Sequence, residues 1–444
     1  MPLTERESNR LSPEKPSGSE EHLPGWREGI IGKAKGPSAG TLGTSLLGQA
    51  FIVVTGVVAA RALGVEGRGT LALLWLLPMT LALLGGLGIP QATTYYVARE
   101  ADNAAAVVRI SVVVVLGLAA VLSLGYAAGL VLIAENQDFS ATDSLLSVLL
   151  VPLFLAQNLA AATLLGMKRY AAFNLCRVVP VFLYAAGILL LFGLGDATLS
   201  SIFTAGTASW AIGAAIAWYL VRRELPDAGR EAAVTRSGIV WFGVRGIIGT
   251  VSPVDDVRVD QLFVGLLLDA RALGLYVSAV AFCNLPRFVA QSIGSVNYPR
   301  VAGAPDSEAA WATTIRATKI GLLVVALTVA GLILTMPFLL PFLFGEEFKD
   351  AVGLAYILLP AAYFLSVHRL LTELARGLGH PGYGSITELV NLAVFLSGLL
   401  VFATPATASG VATAVLAGGI SSALVLSLLL VRLRRMQPRG GFHP

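Results

Sequence analysis

Asp255, Asp256, Arg258 and Asp260 put four ionisable groups into six residues of GTVSPVDDVRVDQLFVGLLL (249–268), a stretch that ends in an apolar run. Carboxylates and a guanidinium at this density can bind a cation or proton, hold a charged ligand, or neutralise one another. On a regular helix Arg245, Gly249, Ser252, Asp256 and Asp260 follow steps of four, three, four and four, which makes one polar stripe. Asp255 and Arg258 are three apart and can pair on its flank. Pro253 withdraws a backbone donor near the middle and predicts a kink.

Similar groups recur in other apolar runs. Arg177, Arg287 and Arg369 join Arg245 and Arg258, with Gln49 and Asn284 as neutral hydrogen-bonding partners and Glu373 and Glu388 as further acids. Arg177 and Glu388 sit near the ends of their runs, where they either reach for the interface or face a polar cleft. Arg369 and Glu373, at i and i+4, are spaced for a structural pair. His368 is spaced for packing as readily as for proton transfer. No phosphate-binding P-loop, His-Glu-x-x-His or Gly-x-Ser-x-Gly pattern occurs. Paired-carboxylate catalysis has only Glu135, Asp138, Asp143, Glu346 and Glu347 to draw on, which are ordinary loop charges. Cys176 and Cys283 lie far apart in apolar runs and read as packing residues, so no metal site is implied.

The elements that must position these groups are membrane helices. The 444 residues are 56% hydrophobic and 13% charged, and mean hydropathy is +0.77. Apolar runs of about twenty residues suit a bilayer core of about 30 Å. Twelve spans are predicted, at 40–63, 70–95, 106–133, 144–166, 171–193, 198–221, 238–267, 272–296, 313–338, 350–374, 383–402 and 408–431. The expected fold is an all-α integral membrane protein, with two six-helix bundles around a central cavity. The bundles are 39–221 and 238–432, joined by a basic cytoplasmic linker, 222–237. Residues 1–38 read as a disordered cytoplasmic tail and 433–444 as a second cytoplasmic tail. Alternate loops carry nearly all the Lys and Arg. The opposite loops hold only Arg61, Arg68, Arg271 and Lys349, which places both termini in the cytoplasm. The basic balance is thus topological, and no nucleic-acid partner is implied.

The halves echo each other. LGVEGRG (63–69) lies on LDARALG (268–274) at an offset of 205, and Gly166 and Gly187 lie on Gly377 and Gly398 at an offset of 211. Two halves with an even number of spans share orientation, so an axis along the membrane normal relates them. At the second offset Arg177 falls on Glu388, which predicts opposite charges facing one cleft.

Three stretches carry a family resemblance. GVRGIIGTVSPVDDVRVDQLFVGLLLDARALGLYVSAVAFCNLPRFVAQSIGSVNYPRVA (243–302), AARALGVEGRG (59–69) with GIPQATTYYVAR (88–99), and GEEFKDAVGLAYILLPAAYF (345–364) with ARGLGHPG (375–382) resemble bacterial polysaccharide-biosynthesis flippases. These belong to the multidrug/oligosaccharidyl-lipid/polysaccharide exporter superfamily. The resemblance implies alternating access and transfer of an undecaprenyl-pyrophosphate-linked oligosaccharide, or a related cell-surface precursor, across a bacterial plasma membrane. It implies substrate contacts from Arg177, Arg245, Arg258, Arg287, Arg369, Gln49 and Asn284. Ion coupling would fall to Asp255, Asp256, Asp260, Glu373 and Glu388, with a proton or sodium ion as the only cofactor. Polysaccharide-assembly proteins are the expected partners besides the bilayer. Two other readings are open: a cation-coupled multidrug extruder of the same superfamily, and a membrane glycan polymerase or ligase, an enzyme that would need a large outer loop.

Overall fold

The structure, a computed structural model, describes residues 37–134, 139–225, 234–247, 252, 254, 256–402 and 406–436. The described residues are mostly helical, and none of them lies in a strand. The helices are α1 (Pro37–Gly85), α2 (Ile89–Arg99), α3 (Ala104–Ala134), α4 (Ala141–Gly166), α5 (Tyr170–Leu194), α6 (Leu199–Glu224), α7 (Arg236–Ile247), α8 (Val259–Leu267), α9 (Ala270–Ala302), α10 (Ser307–Phe344), α11 (Ala351–Gly377), α12 (Gly382–Phe402) and α13 (Ala408–Met436).

Ten helices are long and apolar enough to cross a membrane. Two further crossings come from irregular elements. α1 is two arms that meet at Gly64, whose backbone (φ 68°, ψ −171°) only glycine adopts at low cost, so α1 crosses twice. α7 and α8 are two halves of one interrupted span. The chain is therefore a multi-pass membrane protein, with twelve crossings among the described residues. Its outer surface is apolar, with Leu334, Phe338 and Leu400 about four-fifths exposed, as a lipid-facing belt requires.

Two expected boundaries move. The first joint, read at Gly64 to Gly69, is a reversal at Gly64 alone, and Arg68 lies inside the second arm of α1. The seventh span is not a kinked helix. α7 is described to Ile247, the described residues Ser252, Val254 and Asp256 to Arg258 lie in no helix, and α8 begins at Val259, behind Arg258 in the left-handed region (φ 57°, ψ 46°). Within the gap, the Ser252 carbonyl accepts from the amides of Asp256 and Val257, and the Val257 carbonyl accepts from Thr80 Oγ1 of α1 at 3.3 Å. Irregular backbone at membrane depth is tolerable only when protein groups satisfy it in this way. Residues 1–36, residues 226–233 of the 222–237 linker and residues 437–444 lie outside the described residues. α13 continues to Met436, into the segment expected as tail.

The two bundles repeat each other's packing. α4 lies against α2, α3 and α6 as α11 lies against α9, α10 and α13, and α5 packs on α6 as α12 packs on α13. The glycines mark the same joints. A Cβ on Gly166 would stand 2.9 Å from Val97 Cβ, and one on Gly377 would stand 3.0 Å from Val301 Cβ. Gly187 faces Ala205 as Gly398 faces Ala414, and Gly213 faces Pro180 as Gly418 faces Asn391. The internal repeat read from short glycine strings is thus a repeat of close helix approaches, where only a missing side chain lets backbones meet. One end of the molecule carries Arg99, Lys168, Arg222, Arg300 and Arg434, and is called the basic end below; the opposite end is the far end.

Candidate functional site

The bundles enclose a cavity of about 240 Å³, lined by residues of α1, α8, α9, α10, α11 and α13 and by the gap before α8. Helical spacing explains which side chains reach it. On α1's second arm Arg68, Ala72, Trp75 and Met79 follow steps of four, three and four, so one face presents them together. On its first arm Gln49, Ile52, Val53 and Gly56 do the same. α9 adds Asn284 and Arg287 three residues apart, with Cys283 beside them. The end of the interruption adds Arg258, and the first turn of α8 adds Asp260 and Gln261.

Among the described lining residues the charges are Arg68, Arg258 and Arg287 against Asp260. Arg68 is packed closely, since a Cβ on Gly56 would stand 3.6 Å from its Nη2, and its Nε is buried without a hydrogen-bond partner. Asp260 is buried and accepts from the fully buried Tyr276 hydroxyl at 2.8 Å, while its Oδ1 has no hydrogen-bond partner. Ser366 of α11 also turns an unpartnered hydroxyl toward this wall. The wall is cationic on balance, rimmed by neutral amides and apolar side chains. Guanidinium forks in such a setting suit a phosphate or carboxylate better than a cation.

Five of the expected site residues meet at this cavity: Gln49, Arg258, Asp260, Asn284 and Arg287. Six others stand elsewhere. Arg177 stacks on Phe173, its guanidinium carbon 5.5 Å from the ring centroid, and Arg245 stacks on Trp241 at 4.3 Å. Arg369 lies on α11 with its Nε buried. Glu373 pairs with Arg376 at 3.2 Å, one turn on, and not with Arg369. Asp255 lies outside the described residues.

The remaining two, Asp256 and Glu388, form a second polar cluster behind the cavity wall. Asp256 Oδ2 accepts from the Ser252 amide at 2.9 Å, and Ser252 Oγ donates to Glu388 Oε2 at 3.1 Å. Glu388 Oε1 stands 3.7 Å from His368 Nδ1, and His368 Nε2 is 2.7 Å from Thr387 Oγ1. Thr387 already donates its hydroxyl hydrogen to backbone carbonyls of Tyr383 and Gly384. His368 thus spans Thr387 and Glu388, with Nε2 on the hydroxyl and Nδ1 facing the carboxylate. The stripe expected to join Asp256 and Asp260 is broken by the gap before α8, which turns Asp256 toward α12 and Asp260 toward α9. Arg177 and Glu388 do not share a cleft either, because no residue of α5 or α12 lines the cavity.

Arg68, Gln261 and Ser366 were not among the expected site residues. The signal for Arg68 was present: its spacing to Ala72, Trp75 and Met79 is that of one helix face. Reading Gly69 as the edge of a loop hid it.

The comparisons with known proteins agree with this architecture. A family model described as polysaccharide biosynthesis protein matches residues 39–304. No curated protein matches the chain significantly. A multidrug resistance MATE family transporter of the MOP superfamily, inward-facing, superposes with a TM-score of 0.68 at 16% identity, over 88% of this chain and 96% of its own. The lipid II flippase MurJ, inward closed, gives 0.69 at 13% identity, over 87% and 86%. A MOP superfamily transporter from Pyrococcus furiosus gives 0.60 at 16% identity, over 89% and 94%. At such identities these likenesses establish a shared fold.

Proposed function

The chain belongs to the polysaccharide biosynthesis protein family, and from that premise we propose that it is a flippase for an undecaprenyl-pyrophosphate-linked oligosaccharide or a related anionic, lipid-linked surface precursor. It moves the headgroup from the inner to the outer leaflet of a bacterial plasma membrane by alternating access, with both termini cytoplasmic, and makes or breaks no covalent bond. Polysaccharide-assembly proteins receive the product. The observation that carries this reading is the convergence of Arg68, Arg258 and Arg287 on one cavity against the single described carboxylate of Asp260. Arginines hold the pyrophosphate in bidentate fashion, Gln49, Asn284 and Gln261 meet sugar hydroxyls, and the lipid tail stays in the bilayer.

Coupling to an ion gradient falls to the second cluster. Asp256, Glu388 and His368 lie behind the wall, yet Ser252 ties them to the gap before α8, the segment whose far side presents Arg258 and Asp260. A proton taken up between Glu388 and His368 changes the charge that Ser252 meets, and so the geometry of the gap. A multidrug extruder shares the fold, but a wall with three arginines repels organic cations.

The test is export of lipid-linked glycan in a strain lacking the native protein, complemented with Arg68→Ala, Arg258→Ala or Arg287→Ala at matched membrane abundance. Each loses export, and Arg→Lys restores it in part, because an ammonium lacks the fork. Wild-type export from all three Ala variants would remove the anionic headgroup from this cavity.

A further inference from the structure

At the far end the two bundles meet backbone to backbone. A Cβ on Gly69 of α1 would overlap the Ala270 carbonyl and lie 2.9 Å from the Gly274 nitrogen. A Cβ on Gly274 of α9 would overlap the Val65 carbonyl and lie 3.2 Å from the Gly69 nitrogen. The partners are reciprocal: Val65 and Gly69 map onto Ala270 and Gly274 at the same offset of 205. Residues equivalent under a two-fold relation can touch each other only beside its axis. The basic-end crossing differs. There Gly88, at the cap of α2, meets Gly243 of α7, positions that the repeat does not equate, so that contact lies to one side.

A second bond spans the bundles at the same end. Arg61, on α1's first arm, donates from Nε to the Leu343 carbonyl at 2.8 Å and from Nη2 to the Phe342 carbonyl. These are carbonyls of the last turn of α10, where the helix leaves acceptors unfilled and its dipole is negative. Beside it, Glu347 Oε2 lies 3.1 Å from where a Cβ on Gly64 would stand.

We infer that the reciprocal Gly69–Gly274 crossing is the far-end seal of the cavity, set on the pseudo-two-fold axis, and that Arg61 is its latch. The inference rests on the alternating-access reading for its purpose but on packing for its existence. The seal closes because neither helix has a side chain at the crossing. A single methyl there meets main-chain atoms, which cannot rotate away, so the helices must separate. The latch acts differently: it holds closed what the glycines permit to close. Substitution at either glycine of the pair should have the same consequence, and loss of Arg61 a weaker one.

Spin labels at E66C and R271C, equivalent exposed positions on either side of the crossing, in a C176S/C283S background, read the seal by double electron–electron resonance. In lipid nanodiscs the otherwise unchanged protein shows a short-distance population. G69A and G274A each lose at least about half of it and match each other, G69L loses nearly all, and R61A loses a smaller share. Should G69L fail to fold, the two alanine variants and R61A still decide. A short-distance population in G69A and G274A equal to that of the unchanged protein would overturn the seal. If the unchanged protein shows one unmoving distance across pH and on adding geranyl pyrophosphate, alternating access fails, whereas loss of that distance in the glycine variants would still establish the seal.

Discussion

The two bundles share a packing plan and differ in what they do with it. In the first, Trp75 makes ring contacts with Phe154, Tyr184 and Phe203 in a mostly aromatic and aliphatic interior, and the cavity receives one charge, Arg68. In the second, the cavity receives Arg258, Asp260 and Arg287, and a further, partly buried polar cluster stands behind them. The difference begins in one segment. α1's first arm runs helical to its reversal at Gly64, whereas its counterpart is non-helical at Ser252, Val254 and Asp256 to Arg258. An open segment exposes backbone groups that need partners, and here Thr80 of the first bundle and Asp256 of the segment itself supply them. The repeat supplies a symmetric shell, and interrupting one helix of it turns half of the shell into a site.

The sharpest way to break that comparison is to remove charge from both sides of the cavity at once. Arg68→Ala with Arg287→Ala takes one guanidinium from each bundle. If both hold one anionic headgroup, each is worth about 1.5–3 kcal/mol as a charge-assisted contact. The double variant should lower the affinity for geranyl pyrophosphate by about a hundredfold or more, against about tenfold for either alone, measured by titration of purified protein in nanodiscs. An unchanged affinity in Arg68→Ala, beside a loss in Arg287→Ala, would confine the site to the second bundle.

The next effect concerns the partly buried cluster alone. Glu388→Gln and Asp256→Asn keep the shape of each side chain but remove its charge. Export driven by an imposed proton gradient should fall about tenfold, to the level seen without a gradient, while headgroup affinity stays within about twofold of wild type. Reduced membrane abundance with full gradient dependence in the surviving protein would instead make the cluster a structural tie for the gap before α8.

Two neighbouring glycines show how far sequence carries this protein. Gly64 and Gly69 give one signal, a glycine-rich joint, yet only Gly64 turns the chain, and Gly69 is a helical position where another backbone passes. Local pattern fixes that a glycine is needed; the reason depends on a partner two hundred residues away. The same limit explains Asp256 and Asp260. Steps of four place them on one face of any continuous helix, and Pro253 signals only a kink. The extent of the opening depends on Thr80, Ser252 and Glu388 supplying bonds from three elements. Apolar length escapes this limit because it answers to the bilayer and not to a neighbour. Arg287 and Asn284 line the cavity where their spacing put them on one face, since their stretch of α9 stays helical through Pro286.

Equal effects would sharpen the comparison as much as unequal ones. Gly166→Ala and Gly377→Ala place a methyl at equivalent joints, near 2.9 Å and 3.0 Å from the valines that face them. Overpacking of this kind costs about 1–3 kcal/mol. Thermal unfolding in detergent should show both midpoints falling by a similar amount. A fall confined to one variant would mean that the bundles share helix order without sharing stability.

The smallest expected effect comes from two arginines of the expected set that stand away from the cavity. Arg177 and Arg245 each sit four residues after an aromatic ring and lie over it, Phe173 in one bundle and Trp241 in the other. At i and i+4 on a helix this contact needs nothing from the cavity, and at partly exposed positions it contributes about 0.5–1 kcal/mol, with Trp the better partner. Arg177→Ala and Arg245→Ala should each leave headgroup affinity within about twofold of wild type and move the unfolding midpoint slightly, more for Arg245. The measurement that matters is the affinity. A tenfold loss in Arg245→Ala would mean that its helix turns toward the cavity during transport, and that the second bundle offers the substrate a further arginine in a state of the cycle other than this one.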